Sequence, residues 1–284
     1  MTRILACIDA SSYAITVCEL AAWAAKRLQA GVEVLHVVQR KDAVSARHDL
    51  SGAIGLGVKA ELLEELTRMD EAEAKLAIER GRVLLAEAER LLKEGGVSDV
   101  HTLHRHGGIV ETIIEREAEA DLVVIGKRGA SSGFATEHIG SKIERVVRAS
   151  AKPVLIAPRK VTEPRVVVIA FDGSPAARKA VDHVAVSPLF KGLPVHLVSA
   201  GPDDAAHRGP VEQAASRLIA NGIETTVAIR PGTADKVIGD YMGGYPEGVL
   251  VMGAYGHSPL RTLIVGSTTT TMIRTVRLPI LLVR

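Results

Sequence analysis

Residues 270–283 read TTMIRTVRLPILLV, and 126 positions earlier residues 144–157 read ERVVRASAKPVLIA. The same offset lays Gly140, Ser141, Arg148 and Pro153 on Gly266, Ser267, Arg274 and Pro279. Further upstream, DLVVIG ending at Gly126 matches GVLVMG ending at Gly253, and ILACIDASS from Ile4 matches VVIAFDGSP from Val167. Similar signals in the same order, twice, make the chain an internal repeat, which has to be recognised before its elements are read. Asp9 and Gly126 stand 117 residues apart, Asp172 and Gly253 only 81. The first copy therefore carries about 36 extra residues, between Arg40 and Gly95.

Short continuous apolar runs, of the kind buried on both faces of a parallel sheet, alternate with alanine-rich or charged helical stretches. They predict strands over 3–9, 32–38, 99–106, 122–125 and 154–157, with helices over 11–30, 60–94, 109–120 and 141–149. In the second copy the strands fall at 166–171, 195–199, 225–230, 249–252 and 280–283, and the helices at 176–186, 211–220, 234–242 and 267–275. The fold class is α/β: two tandem, doubly wound, Rossmann-like five-stranded parallel sheets. The first domain spans 1–158 with its extra helical segment at about 41–75, and the second spans 165–284; RKVTEP, 159–164, reads as the linker.

Composition bounds the partners. With 284 residues, 47% apolar and 24% charged, the chain has enough core for two ordinary domains. Thirty-five basic against 33 acidic residues give a net charge of +2, which argues against nucleic-acid and membrane-surface partners. The uncharged stretches at 248–260 and 262–273 fall short of the roughly 18 residues of a membrane span, and the apolar run in MTRILACIDASS is too short for a signal peptide. Cys7 and Cys18 form neither a CxxC nor a metal spacing and read as small core side chains. Together these predict a reduced, cytoplasmic location.

Ligands of an open parallel sheet bind beyond the carboxyl ends of its strands, where strand order reverses. After the fourth strand of the second copy come Gly253, Gly256, Gly266 and Ser267, spaced G-x2-G-x9-G-S and opening a helix. Glycines admit a phosphate close to backbone amides, and a helix start adds unpaired N–H groups and partial positive charge. Ser267, Thr268 and Thr269 add hydroxyls, and Asp172, ending strand one, can accept from ribose hydroxyls or stand near a phosphate-bound Mg²⁺.

On these residues the chain resembles a tandem universal stress protein, over all but about residues 41–75. The resemblance implies that Gly253, Gly256, Gly266 and Ser267 hold the ribose and phosphates of ATP. Asp172 falls on the family's strand-one aspartate, Thr269 on its phosphate-side hydroxyl, and Val198, ending strand two, would offer backbone groups to the adenine. The expected function is a stress-response protein that binds ATP or a related adenine nucleotide, with Mg²⁺ as a candidate companion, and acts through conformation or an unknown protein partner. No catalysis is expected beyond incidental ATP hydrolysis.

The first copy departs from the pattern. Its counterpart positions are Asp9, Gly126, Gly129, Gly140 and Ser141, but ten residues separate Gly129 from Gly140. Lys142 and Ile143 replace the hydroxyls of Thr268 and Thr269, and Glu144 would repel a triphosphate if it pointed inward, with Lys127 and Arg128 as compensating cations. Nucleotide is therefore expected mainly in the second copy.

Other motifs favour plainer readings. Gly52, Gly55 and Gly57 make no phosphate loop, because no strand precedes and no Lys-Ser/Thr follows. His101, His104 and His106 lack a fourth ligand and read as polar strand-end residues, so no metal is expected. An alternative function is a nucleotide-free scaffold in which strands 154–157 and 280–283 join the copies as a fused pseudo-dimer, with a further homodimer open. A slow ATPase or adenylating enzyme is the third reading; no Walker A motif or nucleophile elbow is present.

Overall fold

The computed structural model describes residues 2–38, 56–129, 141–254 and 267–284. The first copy contains β1 (Arg3–Ile8), α1 (Ala14–Leu28), β2 (Gly31–Val38), α2 (Leu56–Glu94), β3 (Val100–His106), α3 (Ile109–Glu117), β4 (Leu122–Gly126), α4 (Ser141–Ala149) and β5 (Val154–Ala157). The second contains β6 (Val166–Ala170), α5 (Pro175–Val186), a short 3₁₀ turn at Pro188–Phe190, β7 (Val195–Ala200), α6 (Ala205–Ala220), β8 (Thr225–Arg230), α7 (Ala234–Gly243), β9 (Gly248–Gly253), α8 (Ser267–Thr275) and β10 (Ile280–Val283).

Within each copy the five strands are parallel, in the orders β3-β2-β1-β4-β5 and β10-β9-β6-β7-β8. They do not remain separate sheets. β5 and β10 pair antiparallel, Leu155 opposite Leu281, and merge the copies into one ten-stranded sheet. The strands expected to join the copies thus do so edge to edge.

Alternation along the strands sorts the core into two layers. Ile4, Ala6, Leu122, Val124, Val249 and Val251 face α1, α2, α5 and α6, whereas Leu5, Val123, Ile125, Leu250 and Met252 face α3, α4, α7 and α8. Both layers run through β5 and β10 without a break. Cys18 lies in the first layer, its thiol pushed up to about 12 by burial and then by Glu19 and Glu87. Burial, Glu33 and Glu117 likewise raise the Cys7 thiol, so neither cysteine is a reactive thiolate.

Most boundaries match the sequence pattern within a few residues. The clearest difference is α6, which starts at Ala205 and not near residue 211, because the Asp204 carboxylate accepts from His207 N–H at 2.8 Å and caps the first turn, ahead of Pro210 in the second. No helix among the described residues is long and apolar enough to cross a membrane. The glycines 52, 55 and 57 lie outside the described residues.

Reciprocal cations reinforce the seam. Lys127 donates from Nζ to Val276 O at 2.7 Å, just past the end of α8, while Arg284 donates to Arg148 O and Ser150 O at the end of α4. Ser150 and Val276 are equivalent at the 126-residue offset, so the C-terminal dipole of each last helix meets a cation of the other copy. On the opposite face Arg27 of α1 donates to Leu189 O and Lys191 O, beside the 3₁₀ turn.

Candidate functional site

The carboxyl ends of β6 and β9 and the start of α8 converge on one side of the second copy, as the strand order β9-β6-β7 requires. Asp172, exposed after β6, accepts from Ser174 N–H through Oδ1 at 3.0 Å. That turn is made by Gly173 at φ 75°, and Ser174 then caps α5 by accepting from Ala177 N–H at 3.1 Å. The local sequence thus orients the carboxylate without help from the core. Asp9 makes the same contact with Ser11 N–H at 3.0 Å.

Gly253, ending β9, has a structural duty of its own. A Cβ there would stand 2.3 Å from the backbone carbon of Ala176, in the first turn of α5. Its counterpart Gly126 leaves room for Tyr13, whose Cβ would be 2.7 Å from the added carbon, and Tyr13 is the positional equivalent of Ala176. Close strand-to-helix approach therefore accounts for both glycines. Gly129 brings its backbone beside the carboxylate of Asp9, whose Oδ2 would lie 2.8 Å from a Cβ.

Val198 is fully buried. It is interior to β7, which continues to Ala200, and its carbonyl accepts from Phe171 N–H at 2.9 Å. Beyond it, Ser199 Oγ and His207 Nε2 are 2.8 Å apart, and the His207 ring lies against Gly201. Sequence reading missed this pair, because His207 stands in the turn of α6 that Pro210 disguised.

In α8, Thr269 is 7% exposed and shares the inward stripe of Met272, Ile273 and Val276. Thr268, Thr270 and Thr271 are half-buried. The Thr270 hydroxyl oxygen is buried with no hydrogen-bond partner among the described residues, and the first turn of α8 contains no acidic residue. A helix start with positive partial charge and an unsatisfied hydroxyl has spare capacity for an anion. Gly256, Gly266 and Gly140 lie outside the described residues; Ser267 and Ser141 begin α8 and α4.

At the matching place in the first copy the described chemistry differs. Ile143 takes the position of Thr269, also 7% exposed, and Glu144 pairs with Arg148 at 2.9 Å along α4. Lys127 is committed to the seam and not to a phosphate; burial, then Arg128 and Arg277, push its ammonium down to about 8. His36 and His104 lie beneath Gly81 of α2 and His106 stacks on His104, with ring centroids 5.3 and 5.5 Å apart, but no group among the described residues is arranged to hold a metal. A groove of about 350 Å³ between α7 and α8, lined by Asp235, Lys236, Asp240, Thr275 and Arg277, follows the later turns of α8 and leads away from its start.

The comparisons agree with this architecture. The family model described as the universal stress protein family matches residues 1–158 and again 164–284. Universal stress protein Slr1230 of Synechocystis is 33% identical over 291 residues, covering 100% of both chains. A universal stress protein from Archaeoglobus fulgidus superposes with a TM-score of 0.75 at 22% identity, covering 99% of this chain and 98% of its own. One from Pseudomonas aeruginosa gives 0.62 at 18% identity, covering 100% and 93%. Matched twice along its length, the chain belongs to the universal stress protein family.

Proposed function

We propose that the protein is a stress-response binding protein that takes ATP or a related adenine nucleotide in its second domain, residues 165–284, and acts without catalysis through conformation or a partner. The observation that carries this reading is the buried Thr270 hydroxyl, unpartnered among the described residues, in an acid-free first turn of α8. There the backbone N–H groups of Ser267, Thr268 and Thr269 would meet phosphate oxygens, and Gly256 and Gly266 would let the chain approach them. Asp172 would accept from ribose hydroxyls through the oxygen not used by Ser174. The backbone beside Val198 would border the adenine, and Mg²⁺ would travel with the phosphates. Nucleic acid and membranes are not proposed partners, and a cytoplasmic location suits two unpaired cysteines.

Thermal unfolding with and without millimolar ATP and Mg²⁺ tests the proposal. Ligand at about 100 times its dissociation constant adds about 2.7 kcal/mol, seen as a higher melting temperature. Gly266→Val, with its circular dichroism unchanged, is expected to abolish that shift, and an equal shift in the variant would remove the site. A nucleotide-free scaffold is the second reading, favoured by the β5–β10 pair and its cation contacts, and the absence of any shift or co-purified nucleotide would select it.

A further inference from the structure

In the first copy α2 is far longer than its counterpart α6 in the second, 39 residues against 16, and its outer face is dressed for a partner. At 1.5 Å per residue, the 39 residues of α2 reach about 58 Å, against about 26 Å for the eight residues of β2. Among the described residues, α2 enters the core through its later turns, at Leu85, Ala88 and Leu92. Six large hydrophobic residues are conspicuously exposed on the described chain, and three of them are Met69, Leu76 and Val83 of α2, at 57%, 49% and 64%. Intervals of seven set them on one stripe, on the side of the helix away from Leu85, Ala88 and Leu92.

We propose that this stripe is a homodimer interface in which α2 packs antiparallel against α2 of a second copy, with Leu76 on the two-fold axis. Met69 then meets Val83 of the partner subunit, and Leu76 meets Leu76 of the partner subunit. Charge fixes the choice of occupant and direction. Glu73 and Arg80 each follow a stripe residue by four and so flank it on one side. The antiparallel two-fold brings Glu73 to Arg80 of the partner subunit twice, an isologous and self-complementary contact. A parallel, in-register pair would set Arg80 beside Lys75 of the partner subunit. Arg80 has no ion-pair partner among the described residues, whereas Arg68, Arg82, Arg90 and Lys93 of the same helix are each paired with a carboxylate three or four residues away. On the other flank Ala72 and Ala86 permit close approach, and Glu79 is held by Arg82 at 3.3 Å. The inner sheet edges are spent on each other within one chain, so self-association through β5 or β10 is closed.

Analytical ultracentrifugation of the full chain tests this. The unaltered protein is expected to be a dimer at tens of micromolar, and Leu76→Glu, which places two carboxylates on the axis, to raise the dissociation constant at least about tenfold with circular dichroism unchanged. Glu73→Arg and Arg80→Glu should each weaken the dimer, and the two together should restore it. A monomeric parent at 100 µM, a Leu76→Glu dimer of undiminished affinity, or a double charge swap without recovery would overturn the proposal.

Discussion

Where β2 of the first copy buries Glu33, β7 of the second presents His196 at the same register. Glu33 takes a bidentate contact from Arg116 of α3, at 2.8 and 2.7 Å, with side chains only 8% and 16% exposed. His196 instead meets the Tyr241 hydroxyl of α7 through Nδ1 at 2.7 Å, with Tyr245 against its ring and Arg230 over Tyr241. One scaffold therefore pins the same helix to the same strand in two ways: by a buried ion pair in one copy, by an aromatic cluster in the other. The helix starts differ in the same spirit. Glu144 and Arg148 satisfy each other on α4, while Thr270 of α8 has no partner among the described residues.

The largest effect is expected from breaking the buried pair. Arg116→Met leaves Glu33 buried without its charge partner and should cost about 3–5 kcal/mol by denaturant unfolding. His196→Gln should cost only about 1 kcal/mol, one neutral hydrogen bond. The transplant Glu33→His with Arg116→Tyr should lose less than Arg116→Met alone; an equal loss would show that the two solutions are not interchangeable.

The glycine pair comes next. Gly253→Ala drives a carbon into the backbone of Ala176, which cannot rotate away, and should destabilise by about 1–3 kcal/mol even without nucleotide. Gly126→Ala meets the Tyr13 side chain and should cost less. Equal values would break the distinction.

The seam cations separate by pH. Because the folded pKa of Lys127, about 8, lies below its ordinary 10.5, the unfolded chain binds more protons between those values. Stability contributed by this group therefore rises as pH climbs from about 8 to 10.5, by roughly 1–3 kcal/mol. Lys127→Met should remove that rise, and Arg284→Met should leave it in place.

The smallest effect is Thr270→Val. Removing an unsatisfied buried hydroxyl should leave the nucleotide-free protein unchanged or up to about 1 kcal/mol more stable, and shrink the ATP-dependent rise in melting temperature. Glu144→Thr in the first copy should create no such rise. A Thr270→Val protein with a full ATP response would separate the hydroxyl from the ligand.

Much of this organisation was legible in residue order. The strands are apolar runs bounded by turns, so each was found to within a few residues, and α8 matched at both ends. The shortfall at α6 came from one proline, whose local penalty was outweighed by the Asp204 cap. The candidate site was half legible: the spacing of Asp172 and Gly253 marks the place, but the tight packing of Gly253 on Ala176 and the isolation of the Thr270 hydroxyl are facts of contact.

The sequence by itself determined the repeat, the α/β class, the family resemblance and which helix opens after the glycines, because all of these are carried by periodicity and local backbone preference. Only the tertiary structure decided that β5 and β10 pair antiparallel, that Arg116 finds Glu33 across 83 residues, and that Lys127 serves the seam and not a phosphate. Those outcomes depend on which distant groups share a buried volume, where an unpaired charge is costly and the nearest partner in space takes precedence over the nearest in sequence.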